Sequence, residues 1–403
     1  MELDIKRDKV QREAELAWFN AGCIGTCELT TGSGKTITAL HGVVNRVPKG
    51  SNILFLAETT QREIDFNKDV DNYKKYFNID IKKNWNISFN TYQSAYKLMG
   101  NHYDMVISDE IHFSLSPSYS KFYRNNTYDK LMGLSATLND NVTYGEDTDN
   151  SYTKKDLLKE ICPIIYSYTI NQSQSEGTSR KIKLFVIEHH LERVIKDFEG
   201  GTKLKPFMQS EQAAYDYYDN QFRRSLFIAD ESKKTMMIRL YAQKRANVLY
   251  SANSKINKVK QLLIGIKSKS IVFGNNLDAV IKVTSNTVSS RNTKVKNLKI
   301  RTDFEKGKIN TIGSFKLMEQ GVNLNSLDNV IMMSYYGKSR PIVQRIGRIR
   351  VDPDKQLGYV FIFKTLNTQE EKWFNLMMED ITDFDIIQCA SVDEALIKYK
   401  QLL

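Results

Sequence analysis

The sequence predicts an α/β fold in which parallel sheets are covered by helices on both faces. Residues 1–165 alternate short apolar segments with segments of helical periodicity, the pattern expected of a parallel sheet. A second alternating region begins at 270, after a stretch from 209 to 264 that contains no Pro or Gly and has helical spacing. We therefore expect a first domain at 1–170 and a second at 171–403, the latter with a helical insertion at about 209–264.

In the first domain, apolar runs of strand length are separated by segments with a 3.6-residue period. The predicted strands are 23–29, 52–57, 86–90, 103–108 and 130–135. The predicted helices are 9–20, 35–46 and 60–76.

In the second domain the strand candidates are again short and rich in β-branched and aromatic residues. They are 182–190, 270–276, 297–301, 309–313, 328–334 and 359–366, with helices at 302–306, near 316–320 and from 340. Thr368 with Glu371, and Ser391 with Glu394, have capping-box spacing and predict two C-terminal helices.

A phosphate-binding loop follows the first predicted strand and precedes a helix, which is the setting such a loop requires. Its residues are Thr31, Gly32, Ser33, Gly34, Lys35 and Thr36. Glycines let backbone N–H groups turn toward phosphates. Lys35 is placed to reach the β- and γ-phosphates, and the Thr36 hydroxyl to bind Mg²⁺. The strict loop pattern has Gly where Leu29 stands.

An acidic box begins where the strand predicted at 103–108 ends. Ligands of open α/β sheets bind at the carboxyl ends of strands, so Asp109 and Glu110 are expected near the phosphate loop. Asp109 is the candidate for holding Mg²⁺ through water, and Glu110 is the candidate base for the attacking water. A lone Asp-Glu pair is usually a solvated turn, but the strand and the loop favour a nucleotide site.

Composition indicates a globular, intracellular protein with a polyanionic partner. The 403 residues carry a net charge of +11 and are 41% hydrophobic. Such a charge favours nucleic acid, although a Lys-rich soluble surface has the same signature. The four cysteines are too scattered for a disulfide framework and predict reduced thiols and a cytoplasmic location. No apolar run approaches the roughly 20 residues of a membrane span, and the charged N-terminus does not resemble a signal peptide.

A basic segment, 344–350, follows an apolar strand in the second half. It contains Gln344, Arg345, Arg348 and Arg350. Arginine suits bidentate contact with a γ-phosphate, and an arginine from a second domain can stabilise the charge that develops on the transferring phosphoryl group.

Taken in order, these segments resemble the motifs of a superfamily 2 helicase over nearly the whole chain. The motifs in order are 31–36, 56–60, 89–94, 109–112, 135–137, 271–276, 319–324 and 344–350. The resemblance implies two RecA-like domains in tandem with ATP in the cleft between them. The chain departs from the usual pattern at Asn323, where Asp is typical, and at Val351, which stands where the last arginine is usual.

The resemblance also implies roles for individual residues. Gln11 would recognise adenine, and residues of the second domain would complete the ATP site: Gly321, Gln344, Arg345, Arg348 and Arg350. Arg348 is the preferred arginine finger. Ser135 and Thr137 are candidates for coupling the nucleotide and nucleic-acid sites.

Single strands are held mainly through their phosphates, by hydroxyls and N–H groups at loop tips. The candidates are Thr59, Thr60, Thr91 and Ser314, each of which could instead be an ordinary cap or turn residue. The aromatic residues of 215–222 have helical spacing that favours a core over a stacking platform. The stretch 294–299 alternates like a half-exposed strand.

The resemblance is strongest to the DNA-directed group that includes restriction-enzyme translocation subunits, excision-repair helicases and phage branch-migration helicases. It implies ATP and Mg²⁺ as cofactors and single-stranded, forked or branched DNA as partner, with 3′→5′ polarity. The Asn/Lys bias suggests a phage or mobile element, and a monomer is plausible. An RNA helicase or RNA-stimulated ATPase, and a nucleotide-gated remodelling module that does not unwind, remain open.

Overall fold

The computed structural model describes residues 5–30, 32–136, 143–144, 152–202, 205–315, 327–335, 357–379 and 384–403. It forms two compact units, Met1–Ser179 and Arg180–Leu403. Each unit is built around a parallel sheet with helices packed on it, so the predicted α/β class is confirmed.

The first unit contains a six-stranded sheet whose pairs are all parallel. The strands of the first unit, including those of two smaller sheets, are β1 (Ile24–Leu29), β2 (Asn52–Ala57), β3 (Asn86–Thr91), β4 (His102–Tyr103), β5 (Met105–Asp109), β6 (Thr127–Tyr128), β7 (Leu131–Ser135), β8 (Thr143–Tyr144), β9 (Tyr152–Thr153) and β10 (Ile164–Tyr168). The order across the sheet is β10-β1-β7-β5-β2-β3, and β4-β6 and β8-β9 form small two-stranded sheets.

In the described part of the first unit, nine short or medium helices accompany this sheet. They are α1 (Ile5–Asn20), α2 (Lys35–Arg46), α3 (Gln61–Phe77), α4 (Ile81–Asn84), α5 (Tyr92–Ala95), a 3-10 helix (Ile111–Phe113), α6 (Lys121–Asn125), α7 (Lys154–Ile161) and α8 (Ile170–Ser175).

Strand β2 shows why the strands of the first unit are apolar without alternation. Ile53 and Phe55 belong to one buried cluster, and Leu54 and Leu56 belong to another. Successive strand residues point to opposite faces, so both faces of this sheet are covered. Such a sheet delivers its strand ends, rather than a face, to ligands.

The second unit contains a seven-stranded parallel sheet and a separate antiparallel hairpin. Its strands are β11 (Lys181–His189), β12 (Lys196–Thr202), β13 (Lys205–Ser210), β14 (Ser270–Phe273), β15 (Thr287–Val288), β16 (Thr311–Ser314), β17 (Asn329–Met332), β18 (Leu357–Thr365) and β19 (Asp385–Cys389). The sheet order is β15-β16-β14-β17-β18-β11-β19, and β12 pairs with β13.

The described helices of the second unit are α9 (Glu211–Ser225), α10 (Glu231–Ser251), α11 (Asn253–Gly265), α12 (Leu277–Val283), α13 (Lys294–Glu305), α14 (Gln369–Glu379) and α15 (Val392–Lys400). The first three of them fill the predicted helical region at about 209–264. Among the described residues, no helix is both long and apolar enough to cross a membrane.

The prediction of a half-exposed strand at 294–299 and of a strand at 297–301 is wrong, because both segments belong to α13. The Thr293 hydroxyl accepts the Lys296 N–H at 3.2 Å and starts this helix. Ile300 and Phe304 are its buried residues. They lie one helical turn apart on the buried face. The alternating residues at 294–299 lie outside that face, so their pattern does not indicate a strand.

The aromatic residues at the start of the insertion are partly core, as their spacing favours. Tyr215 is buried, and its hydroxyl oxygen accepts the Gln369 N–H at 2.6 Å. Tyr218 packs against the same apolar cluster, whereas Tyr217 is half exposed. The hairpin of β12 and β13 that precedes them was not predicted.

Candidate nucleotide and nucleic-acid site

The predicted residues of the first unit gather at the carboxyl edge of its parallel sheet. The phosphate loop follows β1, Asp109 ends β5, and Ser135 ends β7. Glu28 is opposite Ser135 and Asp109 is opposite Leu134 in the strand register. Motifs that are far apart in the sequence therefore lie side by side at one edge.

The phosphate loop is shaped by two glycines with left-handed backbone. Gly32 has φ +90° and Gly34 has φ +93°, a region that favours glycine. The Gln11 amide Nε2 donates to the Ser33 carbonyl at 2.8 Å, and a Cβ on residue 34 would lie 2.1 Å from that nitrogen. Gly34 therefore permits Gln11 to reach the loop. Thr31 lies outside the described residues.

Helix α2 begins at Lys35, directly after Gly34, which has no side chain to cap it. The first N–H groups of a helix lack intrahelical partners and carry partial positive charge. Together with the loop N–H groups, they form a suitable site for an anionic phosphate.

Lys35 and Glu110 form an ion pair at the mouth of this site. Lys35 Nζ lies 2.5 Å from Glu110 Oε1, and the two side chains are 12% and 21% exposed. Glu110 has left-handed backbone, with φ +50° and ψ +52°, which is uncommon for a non-glycine residue and is a feature of functional sites. The lysine and the candidate base are thus held together, with solvent access to both.

Thr36 and Asp109, the predicted magnesium ligands, are both buried and are bridged by an arginine that sequence reasoning missed. Arg62 Nε lies 2.5 Å from Asp109 Oδ2, and its Nη2 lies 2.5 Å from Thr36 Oγ1. Burial lowers the pKa of the Arg62 guanidinium, but the nearby carboxylates, Asp109 foremost, raise it by more, so that the pKa lies above its usual range.

The residues present fit a magnesium ion. Thr36 and Asp109 offer hydroxyl and carboxylate oxygens, the hard donors that Mg²⁺ prefers. Asp109 Oδ1 is buried and, among the described residues, has no hydrogen-bond partner. A metal-bound water would satisfy this oxygen, since a buried polar atom without a partner is costly.

A hydroxyl at the end of β7 connects the acidic box to the third motif. Ser135 Oγ lies 2.9 Å from His112 Nδ1 and donates to Glu110 Oε2 at 3.4 Å. The Tyr92 hydroxyl donates to the Asp109 carbonyl at 2.8 Å. These contacts fix the backbone and carboxylate of the acidic box. Thr137 lies outside the described residues.

The nucleic-acid candidates of the first unit lie at the same edge as the nucleotide site. Thr59 and Thr60 are exposed in the turn after β2, and Thr91 ends the neighbouring β3, opposite Ala57. The Thr91 hydroxyl donates to Ser94 Oγ at 3.3 Å. Ser314 is different: it ends β16 in the second unit and is fully buried.

Five further candidates, all in the second half of the chain, lie outside the described residues. They are Gly321, Gln344, Arg345, Arg348 and Arg350.

Two family models match this chain. "Type III restriction enzyme, res subunit" matches residues 8–140, and "Helicase conserved C-terminal domain" matches residues 233–351. The first range contains the phosphate loop and the acidic box, and the second contains the basic segment. The fold and the site thus define a nucleotide-driven motor of the helicase class. More particularly, the chain belongs to the superfamily 2 helicases and is similar to the restriction-type translocases. It is an ATP-hydrolysing enzyme.

Individual relatives agree with this assignment. The chain is 27% identical over 358 residues to the DNA 3′-5′ translocase XPB2 of Sulfurisphaera tokodaii, covering 86% of this chain and 79% of the relative.

Two solved structures share the fold. A DNA-bound ATP-dependent Type ISP restriction-modification enzyme, LlaBIII, has a TM-score of 0.59 and 15% identity. The match covers all of this chain but only 32% of that enzyme, so the chain spans about a third of its length. Dbp5 of S. cerevisiae, bound to RNA and ADP BeF3, has a TM-score of 0.60 and 12% identity, with 98% of this chain and 93% of Dbp5 covered. These structures confirm that both sheets are RecA-like.

Proposed function

We propose that this protein is a DNA translocase or helicase that uses ATP and Mg²⁺ and acts on single-stranded, forked or branched DNA in replication, recombination or repair. The observation that carries the proposal is the shared sheet edge. The phosphate loop and acidic box lie on the same carboxyl edge as Thr59, Thr60 and Thr91. DNA is favoured because the sequence relative is a DNA translocase.

Each candidate site residue named below from the first unit has a defined task in this proposal. The loop N–H groups and Lys35 bind the phosphates, and Gln11 binds the base. Thr36 and Asp109 would hold the metal, which would supply positive charge to neutralise the phosphates. Glu110 accepts the proton of the attacking water.

The second half of the chain supplies arginines in this proposal. Arg348 stabilises the γ-phosphate charge in the transition state, supported by Gln344, Arg345 and Arg350. Gly321 contributes to nucleotide binding. Ser314 is proposed to contact the strand, although its side chain is buried in the part of the chain that the structure describes.

A comparison of polynucleotides tests the substrate. ATP hydrolysis is measured with single-stranded DNA, duplex DNA, forked DNA and single-stranded RNA at equal nucleotide concentration. The proposal expects stimulation by the DNA forms that carry single strands, and a steep loss of binding with salt because phosphate contacts dominate. Stimulation by RNA alone would assign the motor to RNA.

A second measurement separates unwinding from other uses of the same motor. Strand separation and branch migration are followed with labelled forked and four-way DNA. DNA-stimulated hydrolysis without either product would indicate a translocase or a nucleotide-gated remodelling module rather than a helicase.

The biological setting is proposed on composition. The Asn- and Lys-rich sequence and the few cysteines suggest a phage or mobile-element protein acting in the host cytoplasm. Light scattering with and without DNA tests whether it acts as a monomer.

A further inference from the structure

Arg62 joins the two residues that the proposed function assigns to the metal. Its Nε contacts Asp109 Oδ2 and its Nη2 contacts Thr36 Oγ1, both at 2.5 Å. Thr36 lies in the first turn of α2, Asp109 ends β5, and Arg62 lies in the first turn of α3. One guanidinium therefore ties three elements together at the point where the metal would bind.

The surroundings hold this guanidinium in place. Its side chain is 18% exposed and lies over the Phe55 ring, with 6.0 Å from Cζ to the ring centroid. Its Nη1 lies 3.7 Å from Asp69 Oδ2. Two charge-assisted hydrogen bonds and a second carboxylate are a stronger anchorage than a surface ion pair has.

Asp109 needs a cation, because a buried carboxylate without a compensating charge is strongly unfavourable. Its side chain is 5% exposed, and Arg62 supplies that charge. A Mg²⁺ ion bound by Thr36 and, through water, by Asp109 would need the Thr36 hydroxyl oxygen and the space beside Asp109 that the guanidinium now uses. The two cations therefore compete for the Thr36 hydroxyl and for that space.

We propose that Arg62 is the resident cation of the magnesium site: it keeps Thr36 and Asp109 together in the metal-free protein and is displaced when Mg²⁺ enters with the nucleotide. This inference rests on the proposed function, since it assumes that Mg²⁺ and a nucleotide bind here. Because Arg62 lies two residues after Thr60, its release also frees the start of α3 beside the proposed strand-binding turn.

The test uses Arg62→Gln in the full chain, with Arg62→Lys as the conservative variant and Arg46→Gln as the matched control. Arg46 also forms a short ion pair in the first unit, with Nε 2.7 Å from Glu15 Oε1, but outside this site. The probe is a fluorescent ATP analogue, and the quantity measured is the Mg²⁺ concentration that gives half-maximal binding.

Competition predicts that Arg62→Gln needs about tenfold less Mg²⁺ than the wild type, since roughly one charge-assisted contact no longer has to be displaced. Arg62→Lys, which keeps the charge but not the two-pronged contact, should lie between them. Arg46→Gln should have the wild-type midpoint. A higher Mg²⁺ requirement for Arg62→Gln, or an equal shift in Arg46→Gln, would overturn the inference.

Thermal unfolding at a fixed concentration of the ATP analogue supplies a second readout that does not depend on turnover. With chelator present, Arg62→Gln should unfold at a lower temperature than the wild type, and added Mg²⁺ should recover more stability in the variant than in the wild type. Equal responses of both proteins to Mg²⁺ count against the inference. A wild type that binds no nucleotide even at saturating Mg²⁺ would instead remove the proposed function itself.

Discussion

The two units hold buried charges in different ways. At the sheet edge of the first unit, Lys35 pairs with Glu110 and Arg62 with Asp109, and three of these four side chains keep 12–21% exposure. In the second unit, Lys255 pairs with Glu370 at 1% and 0% exposure. The first arrangement is open to an incoming ligand, whereas the second is closed.

The closed pair of the second unit is satisfied by protein groups alone. Lys255 Nζ lies 2.7 and 2.9 Å from the two Glu370 oxygens. Glu370 also accepts the Thr365 N–H at 3.1 Å, and the Thr365 hydroxyl donates to it as well. The network fastens α11 and α14 to the end of β18. We expect the partly exposed pairs of the first unit to exchange partners with a ligand, and the sealed pair of the second unit to hold the architecture.

The largest expected effect follows from removing the charge of Glu110. Glu110→Gln keeps an oxygen for Lys35 but cannot take a proton, so ATP turnover should fall about 100- to 10,000-fold while nucleotide binding persists. Hydrolysis and analogue binding are measured side by side. Glu160→Gln, at an exposed pair with Arg124, is the control and should be fully active. Substantial turnover by Glu110→Gln would exclude this residue as the base.

The next effect compares the partly exposed pair of the first unit with the sealed pair of the second unit by their contributions to the free energy of unfolding. Lys255→Met leaves Glu370 buried without its cation and should cost about 3–5 kcal/mol of unfolding free energy. Lys35→Met breaks a partly exposed pair and should cost at most about 1 kcal/mol. Denaturant unfolding, with hydrogen exchange to localise the loss, gives both values.

A double variant completes this comparison. Combining Lys255→Met with Glu370→Leu removes both buried charges and should recover much of the lost stability. Equal costs for Lys35→Met and Lys255→Met would contradict the distinction between the two kinds of pair.

A smaller effect concerns acid stability, with one histidine in each unit. Burial lowers the pKa of His41 and lowers that of His189 well below its ordinary value, where Lys255 lowers it further. Both histidines therefore bind a proton less readily in the folded protein than in the unfolded chain. Their contribution is fully present above about pH 6.5 and is lost as the pH falls, by at most about 1.4 kcal/mol per pH unit for each.

The histidine effect should be larger in the second unit. Burial and Arg12 lower the pKa of His41 but Asp8 and Glu15 partly offset them, whereas every cause at His189, from burial to Lys255, lowers its pKa. His189→Gln and His41→Gln are compared by hydrogen exchange between pH 7.5 and 5.5. A flatter pH dependence for His41→Gln than for His189→Gln would reverse this order.

The smallest effect tests whether Thr60, at the same sheet edge as the nucleotide site, contacts a single strand. Thr60→Ala should weaken single-strand binding by about 0.5–1.5 kcal/mol, the value of one hydrogen bond, and leave nucleotide binding unchanged. Thr127→Ala is the matched control, because Thr127 is also exposed but precedes β7 at the opposite edge of the sheet. An equal loss in both variants would argue against a strand contact at Thr60.

Prediction from sequence succeeded where the signal is local. Lys35 and Thr36 follow a strand and begin a helix, and Asp109 ends a strand, as their neighbours in the chain indicate. Arg62 was missed because its partners Thr36 and Asp109 lie 26 and 47 positions away. An arginine soon after a strand that ends at the same edge was the signal available for finding it.

The error at α13 has a related cause. The alternation at 294–299 is a local pattern, but burial is decided by what packs on the segment. Only Ile300 and Phe304 of this helix are buried. An alternating or amphipathic pattern predicts secondary structure reliably only when its apolar residues are buried in the core. Val295 and Leu298 are exposed, so the pattern at 294–299 was misleading.

The sequence by itself determined the α/β class, the phosphate loop, the acidic box and the helicase family, because each depends on residues adjacent in the chain or on motifs in a recognisable order. Only the tertiary structure decided which charges face one another. The parallel sheet brings the ends of β1, β5 and β7 to one edge and sets α3 beside them. That packing placed Arg62 on the candidate magnesium ligands, Thr36 and Asp109, and sealed Lys255 against Glu370. Neither pairing could be inferred from a local sequence pattern.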